Sequence, residues 1–184
     1  MNKIKLFFQK NNKDVKKENN KEKFDYFKIV IITFLIVFLF NMFCLQTACV
    51  NGSSMYPTLE NGQYLLINKM EKDYDRYDII VARSNGIHII KRIIGLPGET
   101  VQIINNNIYI NDKIIYDPIN NINMDYYGIA EKKVTLKDNE YFVMGDNRNN
   151  SADSRDPNVG VISKSKISGS VIFRFFPFKV FVNE

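Results

Sequence analysis

Three segments carry residue types that could do chemistry. The first is Asn51-Gly52-Ser53-Ser54-Met55-Tyr56-Pro57-Thr58-Leu59. Glycine, serine and a proline-containing turn can present a hydroxyl beside free backbone N–H groups. Nucleophilic serine chemistry needs both, one to attack and the others to hold an oxyanion. A plain linker is the bland alternative. The second segment is Ile89-Ile90-Lys91-Arg92-Ile93-Ile94-Gly95-Leu96-Pro97-Gly98-Glu99. Strand alternation puts Lys91 on the face of Ile89 and Ile93. Burial there disfavours the ammonium and makes the neutral amine available as a general base. The alternative is a lysine that runs its charge out to the sheet edge. The third segment runs from Gly145 to Arg155, Gly-Asp-Asn-Arg-Asn-Asn-Ser-Ala-Asp-Ser-Arg. Its short polar side chains bond their own backbone and make a rigid loop; an ordinary surface turn is the alternative. The spacing and terminal Glu of a calcium loop are absent, and no metal or cofactor is expected. His88 is the single histidine. It stands three residues from Lys91, on the other face of a strand. A site that uses Lys91 therefore does not use His88.

These residues need a scaffold, and the sequence after residue 50 reads as β-structure. Short β-branched and aromatic runs recur between turn signals: Tyr64–Ile67, Asp78–Arg83, Ile87–Ile94, Val101–Ile104, Ile108–Ile110, Tyr141–Met144 and Ser170–Phe175. Asn85-Gly86 predicts a hairpin between the second and third runs. Asn105–Asn107 and Asn111-Asp112 read as further turns. Residues 117–133 read as a polar surface loop. The expected fold is mainly β: a single N-terminal transmembrane helix, then a small antiparallel β-domain of coiled sheets or partial barrel.

Composition divides the chain further. Of 184 residues, 45% are hydrophobic and 24% charged, which excludes a disordered chain. Net charge is +5, but residues 1–28 hold nine Lys against Asp14, Glu18, Glu22 and Asp25, a net of +5. The remainder has 16 basic and 16 acidic residues. A balanced body is a poor phosphate binder, and nucleic acid is excluded as a partner. From Ile29 to Ala48 twenty residues run without a charge. As a helix they span about 30 Å, the hydrocarbon thickness of a bilayer. The lysine-rich flank places the N-terminus in the cytoplasm and the body outside. The run is longer than a cleaved signal core. A lipoprotein signal ending at Cys49 would have Gln46 where an aliphatic residue belongs. The expected organisation is a basic cytoplasmic tail over 1–28, a transmembrane anchor over 29–48 and an extracytoplasmic catalytic domain over 49–184. Cys44 and Cys49 are the only cysteines, so the body is expected to be stable without disulfides.

Taken together, the segments resemble the bacterial type I signal peptidases, membrane-anchored Ser/Lys proteases, in their short Gram-positive-like form. The family box Ser-Met-x-Pro-Thr-Leu is present from Ser54 to Leu59. Its Tyr-Asp-Arg-Gly-Asp-Ile-Val box is similar to Tyr74-Asp75-Arg76-Tyr77-Asp78-Ile79-Ile80. Its Lys-Arg-x-x-Gly-x-Pro-Gly-Asp box is matched from Lys91 to Glu99, and its Gly-Asp-Asn box from Gly145 to Arg155. Tyr77 replaces a family glycine, which implies a distorted turn, and Glu99 replaces an aspartate. The resemblance implies Ser54 as nucleophile, Lys91 as general base and Ser151 as the residue that hydrogen-bonds and orients Lys91. It implies Asp153 and Arg155 as a bracing pair, with Asp146 and Asn147 as structural members of the same box. The oxyanion would be held by backbone at Ser54, with Gly52 standing where some relatives place a second, hydroxyl donor. Met55, Tyr56, Leu59, Ile89 and Ile90 would line shallow apolar substrate pockets for small side chains of the Ala-x-Ala type. The implied partners are exported preproteins carrying signal peptides, the lipid bilayer and the secretion translocon. Phe173, Phe175, Phe176 and Phe178 are candidates for docking on lipid, with core packing as the alternative. Two other readings remain: a self-cleaving Ser/Lys regulator, and a non-catalytic membrane-anchored β-domain. The apolar run and neutral body argue against the first, and the complete set Ser54, Lys91, Ser151 and Asp153 against the second.

Overall fold

The computed structural model describes residues 23–39, 44–119, 123–176 and 178–180; the basic tail before residue 23 lies outside them. The chain divides into two units, residues 1–43 and 44–184. In the first, residues 23–39 form helix α1. Its large apolar side chains, among them Phe24, Ile29, Phe34 and Phe38, are exposed on every face. Lys28 sits over the Phe24 ring, 4.5 Å from its centroid. Among the described residues, no helix is long and apolar enough to cross a membrane. The apolar run does not stay helical to Ala48. Leu45–Cys49 forms strand β1, because its backbone groups are taken by an antiparallel ladder in which Leu45 faces Asn68 and Cys49 faces Tyr64. The unit boundary therefore falls at Cys44 rather than after Ala48.

The second unit is an antiparallel β-structure. After β1 come β2 (Tyr64–Asn68), β3 (Ile79–Ser84), β4 (Ile87–Gly95), β5 (Thr100–Ile104) and β6 (Asn107–Ile110). Then follow β7 (Lys113–Ile114), β8 (Val134–Thr135), β9 (Glu140–Met144), β10 (Ile162–Ser163), β11 (Ile167–Phe176) and β12 (Phe178–Val180). The larger sheet runs β1-β2-β11-β3-β4-β9-β10, with β12 paired to β11; the smaller runs β7-β6-β5-β8. The path of the larger sheet starts at β1 and ends at β10, so it is open. The seven runs read from the sequence each overlap a strand. Those the pattern missed include β7, β8 and β10, which have two residues each and no room for alternation to show.

Turn chemistry fixes the registers. Asn85 and Gly86 take φ of +49° and +82°, as a two-residue hairpin turn of the twist-matching type requires. This pairs Ser84 with Ile87 and sets Ile80 opposite Lys91. Asn105-Asn106 and Asn111-Asp112 repeat the double positive φ and close β5–β6 and β6–β7. Three apolar clusters fill the interior. Ile94, Val101, Ile103, Phe142 and Met144 form one. Met55, Leu59, Leu65, Ile67 and Val81 form the second. Tyr74, Ile80, Ile93, Tyr141 and Val143 form the third.

The stretch 117–133 is not simply a surface loop. Asp117, Met124 and Ala130 are buried, and Gly128–Glu131 makes a short 3-10 turn. Its backbone bonds the 145–155 loop: Ile129 N–H donates to Arg155 O at 2.9 Å, and Tyr126 O accepts from Arg155 Nη1. The Phe175 and Tyr64 rings meet at a tilt of 38° with centroids 5.9 Å apart, and Phe173 and Phe175 are half-buried. The side chains of Phe176 and Phe178 lie outside the described residues.

Candidate active site

Strand β4 brings Lys91 into the interior. Ile89 and Ile93, its neighbours in the alternation, pack with the Tyr74–Ile80 cluster, and Lys91 itself is 4% exposed. Among the described residues its amine has one hydrogen-bond partner: Lys91 Nζ is bonded to Ser54 Oγ at 2.7 Å. Loss of hydration pushes the lysine pKa down, and the nearby Arg155 charge pushes the same way. Asp153 and Asp146 oppose the shift without cancelling it. His88 is exposed toward the tip of the β3–β4 hairpin, opposite Arg83, and takes no part in this arrangement.

Ser54 stands on a short turn anchored on both sides. Met55 and Leu59 sink into the core, and Leu59 N–H donates to Met55 O at 2.8 Å. From the other side, Asn147 N–H donates to Ser54 O at 3.0 Å and Asn147 Nδ2 to Ser53 O at 3.1 Å. Gly145 makes this approach possible. A Cβ there would lie 2.5 Å from Ser54 O and 2.1 Å from Ser151 Oγ, so a methyl group has no room.

Two ion pairs, Asp153–Arg155 fully buried and Arg92–Asp146 partly so, hold the polar loop. Asp153 receives Arg155 Nε at 2.9 Å and Nη2 at 2.8 Å, and its Oδ2 also accepts the Gly145 N–H. Arg155 reaches on to the carbonyls of Tyr126 and Arg148. Arg92 grips Asp146 through Nε at 2.9 Å and Nη2 at 2.6 Å, while Nη1 donates to Tyr77 O at 2.9 Å. Such two-point guanidinium–carboxylate contacts fix orientation as well as charge. A third buried pair, Arg148 with Asp117, ties the loop to the 117–133 stretch. Sequence reasoning gave Arg92 and Asp117 no role. Alternation offered a signal for Arg92, since the neighbour of an inward Lys91 must serve the other face. Asp117 had none, because its partner is 31 residues away.

Several expectations change. Ser151 Oγ is buried without a hydrogen-bond partner among the described residues; it lies against Gly145, and no bond to Lys91 forms. Gly52 is not a free donor, because its N–H is taken by Asn61 Oδ1 at 2.9 Å. Met55 and Leu59 are core residues, 1% and 0% exposed, and have no surface to offer a substrate. Tyr56 is 55% exposed, and Ile89 and Ile90 are half-buried. Tyr77 takes the place of the family glycine at a cost in backbone strain. It adopts φ of +76°, the left-handed backbone that glycine takes freely. Its ring packs on the Ile94 cluster, and its hydroxyl donates to Tyr116 O. Glu99 caps its turn, accepting Leu96 N–H and Arg76 Nη2.

A serine hydroxyl held by a buried lysine, on a turn bonded to a loop that ion pairs brace, is an arrangement for nucleophilic attack. Residues 23–176 match the family model described as signal peptidase, peptidase S26. The chain belongs to the signal peptidase family. It is therefore a peptide-bond hydrolase. Its relatives include signal peptidase I S of Bacillus subtilis strain 168, 38% identical over 178 residues, covering 89% of this chain and 96% of that one. Signal peptidase I of Bacillus amyloliquefaciens is 39% identical over 164 residues, covering 84% and 88%. A crystal structure of a signal peptidase I from Enterococcus faecalis V583 aligns at 32% identity and a TM-score of 0.45, covering 54% of this chain and 97% of that one.

For this peptidase the burial of Met55 yields a prediction. Met55→Ala should lower stability by about 2–5 kcal/mol, the usual cost of emptying a core site. The choice of residue at the cleavage point should not change. Thermal unfolding and product sequencing on one preparation check both parts.

Proposed function

We propose that this chain is a membrane-anchored endopeptidase that removes N-terminal signal peptides from exported preproteins by a Ser54/Lys91 dyad. The observation that carries the reading is the 2.7 Å contact between Lys91 Nζ and Ser54 Oγ, made by an amine whose burial favours its neutral form. Neutral Lys91 takes the Ser54 proton as Oγ attacks the scissile carbonyl. The ammonium returns that proton to the departing amine. Water then releases the acyl group with the same amine as base. The Ser54 N–H, bonded to nothing among the described residues, is available to the oxyanion. Asp153–Arg155 and Arg92–Asp146 keep Ser54 and Lys91 in register. Ser151, unpartnered beside Gly145, completes the polar wall.

The relatives' printed names support the substrate class, and the exposed apolar helix over residues 23–39 supports the anchor. With β1 removed from the span, the uncharged run is Ile29–Cys44, flanked by Phe24, Tyr26, Phe27 and Lys28, residue types that favour a membrane interface. The lysine-rich N-terminus keeps the tail in the cytoplasm and the β-unit outside. An extended preprotein segment adds to a strand edge beside Tyr56, Ile89 and Ile90, with small residues one and three positions before the cut.

The test is cleavage of a purified preprotein by the full chain in detergent. Cleavage after the second alanine of an Ala-x-Ala site, lost when a leucine replaces that alanine, is expected. An intact preprotein, or cleavage indifferent to that change, contradicts the reading.

A further inference from the structure

Stabilising a tetrahedral oxyanion takes more than one positioned donor, and the residues around Ser54 narrow the choice. The Gly52 N–H is occupied by Asn61 Oδ1. The Tyr56 N–H is occupied by Ser53 O at 3.1 Å. Met55 is 1% exposed, so its N–H has no surface where a substrate oxygen could arrive. Within the turn that carries the nucleophile, the donors left besides the Ser54 N–H are those of Ser53, an exposed residue; the uncommitted Ser151 hydroxyl is buried against Gly145.

The Ser53 hydroxyl is held rather than free. Ser53 Oγ accepts Asn150 Nδ2 at 3.0 Å. An amide nitrogen only donates, so this contact uses an oxygen lone pair and leaves the hydroxyl proton to be given elsewhere. Among the described residues it is given to nothing. The main chain beneath it is fixed too, since Ser53 O and Ser54 O both accept from Asn147. Asn147 and Asn150 thus hold a hydroxyl with an uncommitted proton one residue before the nucleophile.

We propose that Ser53 supplies the second oxyanion donor through its hydroxyl, with Asn150 as the residue that positions it. The proposal rests on Ser54 being the nucleophile. As the Ser54 Oγ–carbon bond forms, the carbonyl π pair moves to oxygen and Lys91 takes the Ser54 proton. The new oxyanion accepts from Ser54 N–H and Ser53 O–H. When the pair returns, the carbon–nitrogen bond breaks and the amine leaves with the proton from Lys91. Ser53 keeps its own proton throughout.

The experiment compares Ser53→Ala, Ser53→Thr and Ser54→Ala in the full chain. The readouts are kcat, KM, the pH profile and the affinity of a peptide aldehyde, which forms a tetrahedral adduct with the nucleophile. Ser53→Ala should lower kcat by about 10²–10³-fold, with KM and the pH profile unchanged and aldehyde affinity falling in parallel. Ser53→Thr, which keeps the hydroxyl, should recover most of the loss. A Ser53→Ala enzyme within twofold of the parent overturns the proposal, as does a threonine variant as impaired as alanine. A kcat loss without loss of aldehyde affinity also overturns it. All three leave the dyad standing. Full activity in Ser54→Ala would instead remove the reading on which the proposal rests.

Discussion

Replacing Lys91 by alanine should lower kcat for preprotein cleavage by about 10²–10⁴-fold, the range expected when a positioned general base is lost. The argument is geometric. Ser54 Oγ has one basic neighbour, the amine 2.7 Å away, and the single histidine is exposed near the hairpin tip. Arginine at position 91 should fail as completely as alanine, because its guanidinium does not deprotonate. Ser54→Ala should lose as much, and the double variant little more, since two residues acting as a unit give non-additive losses. Initial rates at saturating preprotein, with melting curves to show that each variant folds, check the set.

The second large effect is on stability. Asp153→Ala should destabilise the protein by about 3–5 kcal/mol, because it strands a buried guanidinium. Arg155 is 2% exposed and would keep only the Tyr126 and Arg148 carbonyls. The Gly145 N–H would lose its acceptor as well. Removing both members of the pair should cost less than the single change predicts, since no charge is then left without its partner. Chemical denaturation of the full chain in detergent measures both. A single-variant loss below about 1 kcal/mol would show that the pair carries little of the loop's rigidity.

Much of the scaffold is legible in the sequence because its signals are local. The Asn85-Gly86 turn writes the β3–β4 register in two residues. The alternation Ile89-Lys91-Ile93 places one lysine among isoleucines. What stays hidden depends on pairing across the chain. Leu45–Cys49 reads as the end of an apolar helix, yet Gln46 and Thr47 are acceptable strand residues and β2 supplies a ladder that outweighs helix propensity. Met55 and Leu59 look like pocket walls because they flank the nucleophile; only the packing of β2, β3 and β11 shows them facing inward. Asp117 is invisible as a loop brace until Arg148 lies against it. The resemblance pairs Ser151 with Lys91, but its hydroxyl rests in the space that Gly145 leaves open.

The most direct test of the Ser54/Lys91 dyad is the pH dependence of kcat/KM. An ordinary lysine ionises near about 10.4, and the burial of Lys91 moves its pKa down. As pH rises through the lowered value, the ammonium loses its proton and the fraction of neutral base grows. The rate should therefore rise and level off well below the ordinary lysine range, with the same profile in His88→Ala. A rise that follows a histidine ionisation and disappears in His88→Ala would contradict the dyad.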